Sequence, residues 1–202
     1  MYKLCKTEES SRRQREIEGY LLSLMTVKNY EDISVMDICL GMNMPRKAFY
    51  RYFDNKDGAL HALIDHTLMD FEPFNEEYER RRGKSTAKRQ LKGELERFFV
   101  FWTLPEKKAL LDGLEKSNLT GLLIQSSVDF SNSSFVNPAK FLPDESEWMR
   151  TELLQFAICG LMSVTLSWYR GGFAESTSDM AAAAARMFSR PLFPDLGKLG
   201  IE

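Results

Sequence analysis

The chain has 202 residues, 44% of them hydrophobic and 28% charged, with a formal net charge of −2. This is an ordinary soluble globular composition with room for one or two domains and a sizeable core. Its three cysteines, Cys5, Cys39 and Cys159, lie far apart without paired spacing, which excludes a disulfide framework and a zinc site.

The charge balance names no partner, because a DNA binder need be basic only locally. Residues 1–60 hold ten Lys/Arg against nine Asp/Glu, a balance of +1, which leaves −3 for the rest. Two basic clusters stand out: Arg12, Arg13 and Arg15, then Arg46, Lys47, Arg51 and Lys56. Cys39 and Cys159 sit in apolar runs and are expected to be small core residues. No apolar h-region follows the first charges, so no secretion signal is expected. No apolar run is read as long enough to span a bilayer, and no membrane partner is expected. The cytoplasm of a cell that keeps thiols reduced is the expected location.

The periodicity is helical nearly throughout. Over 9–29, Ile17, Tyr20, Leu21, Leu24 and Met25 share one face, with Arg and Glu opposite. Ser34 caps a short second helix, with Asp37 as its capping-box acid. Val35, Ile38 and Cys39 are its apolar residues, with Leu40 or Met42 closing the core. Asn43 falls where the turn needs a left-handed residue. Pro45 suits the first turn of a helix running to about Tyr52. Asp54 or Asn55 caps the next helix, whose face of Ala59, Leu60, Leu63, Ile64 and Leu68 is expected to extend to about Arg82.

Arg80 to Ser85 reads as a solvated break. Further helices are expected at 86–103, 106–117 and 119–130. Residues 131–143 interrupt the periodicity. A long helix should run from Asp144 to Arg170 and stop at Gly171-Gly172. A last one starts at Ser176 or Thr177 and reaches about Arg190, before Pro191 and Pro194. No strand is expected, so the class is all-α, with about nine helices.

The stretch Ser34 to Lys56 carries most of the functional signal. Two helices this short cannot make a core of their own. The second presents Arg46, Lys47, Arg51 and two tyrosines, a set suited to phosphates and base edges. The pattern Val35-x-x-Ile38-Cys39, the Met42-Asn43-Met44 turn, Arg46, and then Phe49-Tyr50-Arg51-Tyr52-Phe53-x-x-Lys56 closely resembles the N-terminal helix-turn-helix of the tetracycline-repressor (TetR/AcrR) family. The resemblance covers about a quarter of the chain. Two places depart from it: Met42-Asn43 replaces the usual Ala-Gly, and Lys47-Ala48 replaces a small Gly-Thr pair. The second change puts a long cation where the family has a close backbone approach, so the operator preference should be this chain's own.

The resemblance implies a three-helix DNA-binding domain over 1–55 and a helical ligand-binding and dimerisation domain over 56–202. Phe49 and Phe53 should pack inward. Tyr50 and Lys56 should meet phosphates, and Tyr52 should be half core, half contact. Arg46 and Lys47 are best placed for base edges, where Arg can bridge guanine O6 and N7. Pro45, Ala48 and Arg51 complete that helix's surface, and Ser34, Val35 and Met36 open the helix before it.

Beyond residue 80 the resemblance weakens. Gly160 to Gly172 and the helix that follows look like the family's last two helices, which form a four-helix bundle with a second subunit. Leu153, Ala157, Leu161, Val164, Trp168 and Ala184 are the expected dimer contacts. Between these parts lie many large apolar residues. Phe98, Phe99, Phe101 and Trp102 exceed one helix face, which hints at a cavity, a partner or a domain interface. In the resembling family this region encloses an inducer, which makes Phe71, Phe74, Phe98, Phe99, Trp102 and Leu122 the expected pocket for a small apolar or aromatic effector. A ligand there would tilt the fourth helix and change the spacing of the two recognition helices.

Catalysis finds little support. His61 and His66 are the only histidines and are five apart, not the i, i+4 step of a helical metal pair. There is no Gly-rich phosphate loop and no nucleophile elbow. No cofactor, metal or enzyme activity is expected. The reading is therefore a homodimeric regulator on palindromic double-stranded DNA, a repressor released by its effector. The alternative is a co-regulator of the same fold that acts mainly through protein partners.

Overall fold

The first helix, α1 (Glu8–Val27), starts where Thr7 accepts a hydrogen bond from the Ser10 N–H, with Glu8 and Glu9 at its positive end. Its inner stripe is Gln14, Ile17, Glu18, Leu21 and Met25. Two polar residues therefore sit on the face expected to be apolar. Glu18 is tolerated because His66 Nδ1 lies 2.9 Å from its carboxylate.

The computed structural model describes residues 1–3, 5–82, 87–131 and 144–189. After α1 come a 3₁₀ turn (Tyr30–Asp32), α2 (Val35–Gly41), α3 (Arg46–Phe49), α4 (Lys56–Met69) and α5 (Phe71–Arg82). Then follow α6 (Ala87–Trp102), α7 (Pro105–Lys116), α8 (Thr120–Ser131), α9 (Glu147–Arg170) and α10 (Thr177–Ser189). The class is all-α, with no strand among the described residues beyond one bridge between Tyr2 and Phe53. Of the break expected over Arg80–Ser85, Arg80–Arg82 instead close α5, and Ser131, expected to open the interruption, closes α8; residues 83–85, 132–143 and the stop at Pro191 and Pro194 lie outside the described residues.

The helix expected over 56–82 is two helices meeting at Asp70, which brings the count to ten α-helices among the described residues. Pro73 is the physical reason. It has no N–H for the Met69 carbonyl four residues back, and its ring crowds that carbonyl. Asp70 at the joint takes Lys107 Nζ at 2.8 Å and Arg15 Nη2 at 2.9 Å, which ties α4, α7 and α1 together.

One buried cluster runs from Ile17 and Leu21 through Phe49 and Phe53 to Leu60, Leu114 and Leu166. A second joins Leu95 and Phe99 of α6 to Trp168 of α9 and to Met180, Ala181 and Ala184 of α10. Where α1 crosses α7 the backbones approach closely, since a Cβ on Gly113 would lie 3.0 Å from Met25 Cβ. Cys39 is buried as expected, while Cys159 is only half-buried.

The reading that no stretch could span a bilayer needs correction. By length and composition α9 is the one helix among the described residues able to do so. Its C-terminal half buries Met162, Thr165, Leu166 and Trp168 in the protein. Its N-terminal half leaves Trp148 and Phe156 about two-thirds exposed.

Candidate nucleic-acid interface

The short helix pair is held by local bonds that its sequence supplies. Ser34 Oγ accepts from the Asp37 N–H at 3.1 Å, and the Asp37 carboxylate accepts from the Ser34 N–H at 2.7 Å, a complete capping box. The Ser34 hydroxyl, which also donates to the Asp37 carboxylate at 2.5 Å, and then the Ser34 N–H, helped by Lys28, hold the Asp37 carboxyl down to about 2. At the other end of α2, Met44 N–H donates to the Cys39 carbonyl and Asn43 N–H to the Leu40 carbonyl. This is a Schellman closure, and Asn43 takes the left-handed conformation it needs, φ 47°. Ile38 and Cys39 are buried and Met42 is half-buried against them, whereas Leu40 is exposed. Gly41 lets the Tyr20 ring lie close on the α2 backbone; a Cβ there would overlap the Tyr20 hydroxyl and turn the ring aside.

Pro45 is the N-cap of α3. Regular helix covers only Arg46–Phe49; the Tyr50 N–H still donates to the Arg46 carbonyl, and Arg51 and Tyr52 then donate three residues back, to Ala48 and Phe49. The expected helix to Tyr52 is thus shorter. Phe49 and Phe53 are fully buried with ring centroids 5.2 Å apart, so α3 is fixed from below by two rings. Asn55, not Asp54, caps α4, its side-chain oxygen accepting from the Gly58 N–H at 2.8 Å.

Above that base, Pro45, Arg46, Lys47, Tyr50 and Arg51 are exposed together with Ser34 and Met36. Val35, Ala48, Tyr52 and Lys56 are half-buried. Arg46 Nη2 donates to the Tyr50 hydroxyl at 3.2 Å, with the guanidinium 5.9 Å from the ring centroid. The two side chains thus form one pre-arranged donor pair on the outer face.

Lys56 is differently placed. Its ammonium donates to the Tyr30 carbonyl at 2.6 Å and lies 4.1 Å from that ring's centroid. Tyr30 in turn donates from its hydroxyl to Asp57 at 2.7 Å and from its N–H to Ser117 Oγ at 2.9 Å. Burial first, then the Asp57 carboxylate, push the Tyr30 phenol far above its ordinary value. One buried residue between α1 and α2 therefore binds the start of α4 and the end of α7. No motif pointed to it.

Sequence reasoning also missed the N-terminal segment. Lys3 N–H donates to the Tyr52 carbonyl at 2.9 Å, and Asp54 N–H donates to the Met1 carbonyl at 3.1 Å. Lys3 Nζ donates to the Tyr50 carbonyl at 2.9 Å. The Tyr2 ring packs edge-on against His66, 5.5 Å between centroids, and its phenol is pushed up to about 12 by burial and by Asp65. Too few residues precede α1 for any periodicity to show this. His66 is half-buried on Glu18, and His61 is exposed.

The expected pocket residues divide. Phe71 packs on Phe74 and Phe98, with centroids 6.4 and 6.0 Å away, and Phe98 on Trp102 at 6.3 Å. Leu122 is half-buried against the same core. Phe99 turns the other way, onto Trp168 at 5.5 Å in the α6–α9–α10 cluster. Trp102 is 1% exposed, and its indole N–H finds no acceptor among the described residues.

The expected dimer residues divide as well. Trp168 and Ala184 are buried inside the subunit, and the Trp168 indole donates to the Glu175 carbonyl at 3.1 Å. Leu161 and Val164 pack on the same inner cluster. Ala157 is half-buried and Leu153 exposed. At three- and four-residue steps α9 presents outward Trp148, Glu152, Leu153, Phe156, Gly160, Ser163 and Ser167.

No protein-family model matches the chain, and no curated protein matches it. Among solved structures it is similar to the fatty acid degradation regulator FadR from Bacillus halodurans, with 13% identity and a TM-score of 0.58, covering 94% of this chain and 98% of that one. It is also similar to the dihydroxyacetone kinase operon activator DhaS, with 15% identity and a TM-score of 0.53, covering 93% and 96%. At these identities the likeness shows the fold, an all-helical chain matched over nearly its whole length.

Proposed function

We propose that this chain is a dimeric, sequence-specific DNA-binding transcription regulator, a repressor released from a palindromic operator by a small apolar effector. The observation that carries the reading is the outer face of the α2–α3 pair. Arg46, Lys47, Tyr50 and Arg51 stand exposed on a four-residue helix anchored by fully buried Phe49 and Phe53. A rigid base under exposed cations is what base-edge readout needs. The two similar structures belong to proteins named as a regulator and an operon activator, which supports the same reading.

In this reading residues 1–55 are the DNA-binding part and 56–202 the effector and dimer part. A second copy would cover the α9 face that bears Trp148 and Phe156, placing two recognition helices on two half-sites. The effector would lie among Phe71, Phe74, Phe98, Trp102 and Leu122, where the Trp102 N–H offers a hydrogen bond.

Selection of bound sequences from random duplex DNA tests the function. An enriched palindrome, with affinity falling steeply as salt rises, is the expected result. Tyr50→Ala should weaken binding on all sequences. Arg46→Ala should also relax one base preference, worth about 1–3 kcal/mol. Binding by both variants at the parent's strength and selectivity would sink the assignment of α3. Phe156→Glu should shift the chain toward monomer in sedimentation.

A further inference from the structure

We propose that the N-terminal segment Met1–Lys3 is a further DNA-contacting element, in which the Lys3 ammonium holds a backbone phosphate beside the groove that Arg46 and Lys47 enter. This rests on the DNA-binding reading above. Three contacts fix the segment across the end of α3. Two are backbone hydrogen bonds, Lys3 to Tyr52 and Asp54 to Met1, which together make the Tyr2–Phe53 bridge. The third is the Tyr2 ring on His66. The protein also reserves space for it. A Cβ on Gly58 would lie 2.4 Å from the Met1 carbonyl oxygen, so α4 admits the segment only because residue 58 is glycine.

The placement of Lys3 gives the segment its chemistry. Its exposed ammonium donates to the carbonyl of Tyr50, the residue whose hydroxyl is already paired with Arg46. One of its three donors is used there, and two remain for a phosphate oxygen. Lys3 thereby stands at Tyr50, the same residue that holds Arg46. A phosphate contact of this kind positions the protein and carries no base information. Closing the end of α3 would by itself also explain the Lys3–Tyr50 bond. That simpler role predicts lost stability with an unchanged salt dependence, so the two are separable.

The experiment uses the full chain on the duplex recovered by selection, with affinity measured over a series of salt concentrations for the parent, Lys3→Ala, Lys3→Arg and Gly58→Ala. Lys3→Ala should lower the slope of log affinity against log salt by about 0.9 for each half-site, equally on all sequences. Lys3→Arg should keep the parent slope. Gly58→Ala, which displaces the segment, should reproduce the Lys3→Ala slope with Arg46 and Lys47 intact, and thermal unfolding should confirm that each variant is folded at the assay temperature. A parent that binds steeply and a Lys3→Ala variant of identical slope would overturn the inference alone. A parent with no salt-dependent binding to any duplex would overturn the DNA reading and this inference with it.

Discussion

The α1–α3 region and the α5–α6 region hold themselves together by different means. Around α2 and α3, above the Phe49–Phe53 base, the geometry is set by directed bonds: the Ser34–Asp37 box, the Asn43 turn and the three bonds of Tyr30. Around α5 and α6 rings predominate, beside a directed bond from Arg97 Nε to the Asn75 side-chain oxygen. Phe71, Phe74, Phe98 and Phe101 pack at 5.4 to 6.4 Å, and Trp102 leaves its one donor unused among the described residues. Directed bonds specify one arrangement, whereas packed rings specify volume and tolerate rearrangement. On the function proposed above, a region that presents cations at fixed positions gains from the first, and a region that receives an effector gains from the second.

Substitutions can break or sharpen this contrast. Phe49→Ala should cost the most, about 3–5 kcal/mol in denaturant unfolding, because a fully buried ring leaves a cavity. Trp102→Phe should cost less than about 1.5 kcal/mol, since removing an unsatisfied donor offsets part of the lost volume. Ser34→Ala should lose about 1 kcal/mol of cap stability.

The same substitution should be visible in titration. In the parent the Asp37 carboxyl titrates at about 2, below its ordinary value. Its stabilising contribution is therefore present above the ordinary carboxylate range and is lost as pH falls through about 2. In Ser34→Ala the midpoint should rise toward about 3.9, as an NMR titration would show. Arg13→Ala should have the smallest effect, under about 0.5 kcal/mol. Arg13 Nη1 meets Glu16 at 2.7 Å, but both side chains are more than a third exposed.

What could be read from the sequence follows the same division. Ser34, Asn43, Asn55 and Gly171-Gly172 act through their own backbone or side chain within three or four residues. Asn43 and Gly172 indeed lie at positive φ. The exposure of Arg46, Lys47 and Arg51 was legible because Phe49 and Phe53 had to face the other way.

Pairings across the chain were not legible. Glu18 sits on a helix that reads as amphipathic with its acids outward, and only His66, 48 residues away, makes its burial tolerable. Phe98, Phe99, Phe101 and Trp102 announce that they cannot share one face. Only the position of α10 decides that Phe99 joins Trp168. Lys56 sits where the family motif places a phosphate contact, yet its ammonium is engaged by Tyr30, whose role depends on Ser117. Pro73 was a local signal, but its effect falls on a carbonyl four residues earlier.

The Tyr30–Ser117 bond also has a consequence for the order of events on the ribosome. Its partners are 87 residues apart, and Lys116 reaches back to the Thr26 carbonyl beside it. At about 5–20 residues per second, the stretch carrying α3 is synthesised several seconds before α7 can close over α1. Until then Met25 lacks its seat on Gly113, and Tyr30 lacks one of its three partners. A nascent chain thus carries its basic face for seconds in an unfinished state, and only a chain grown past residue 117 can complete it.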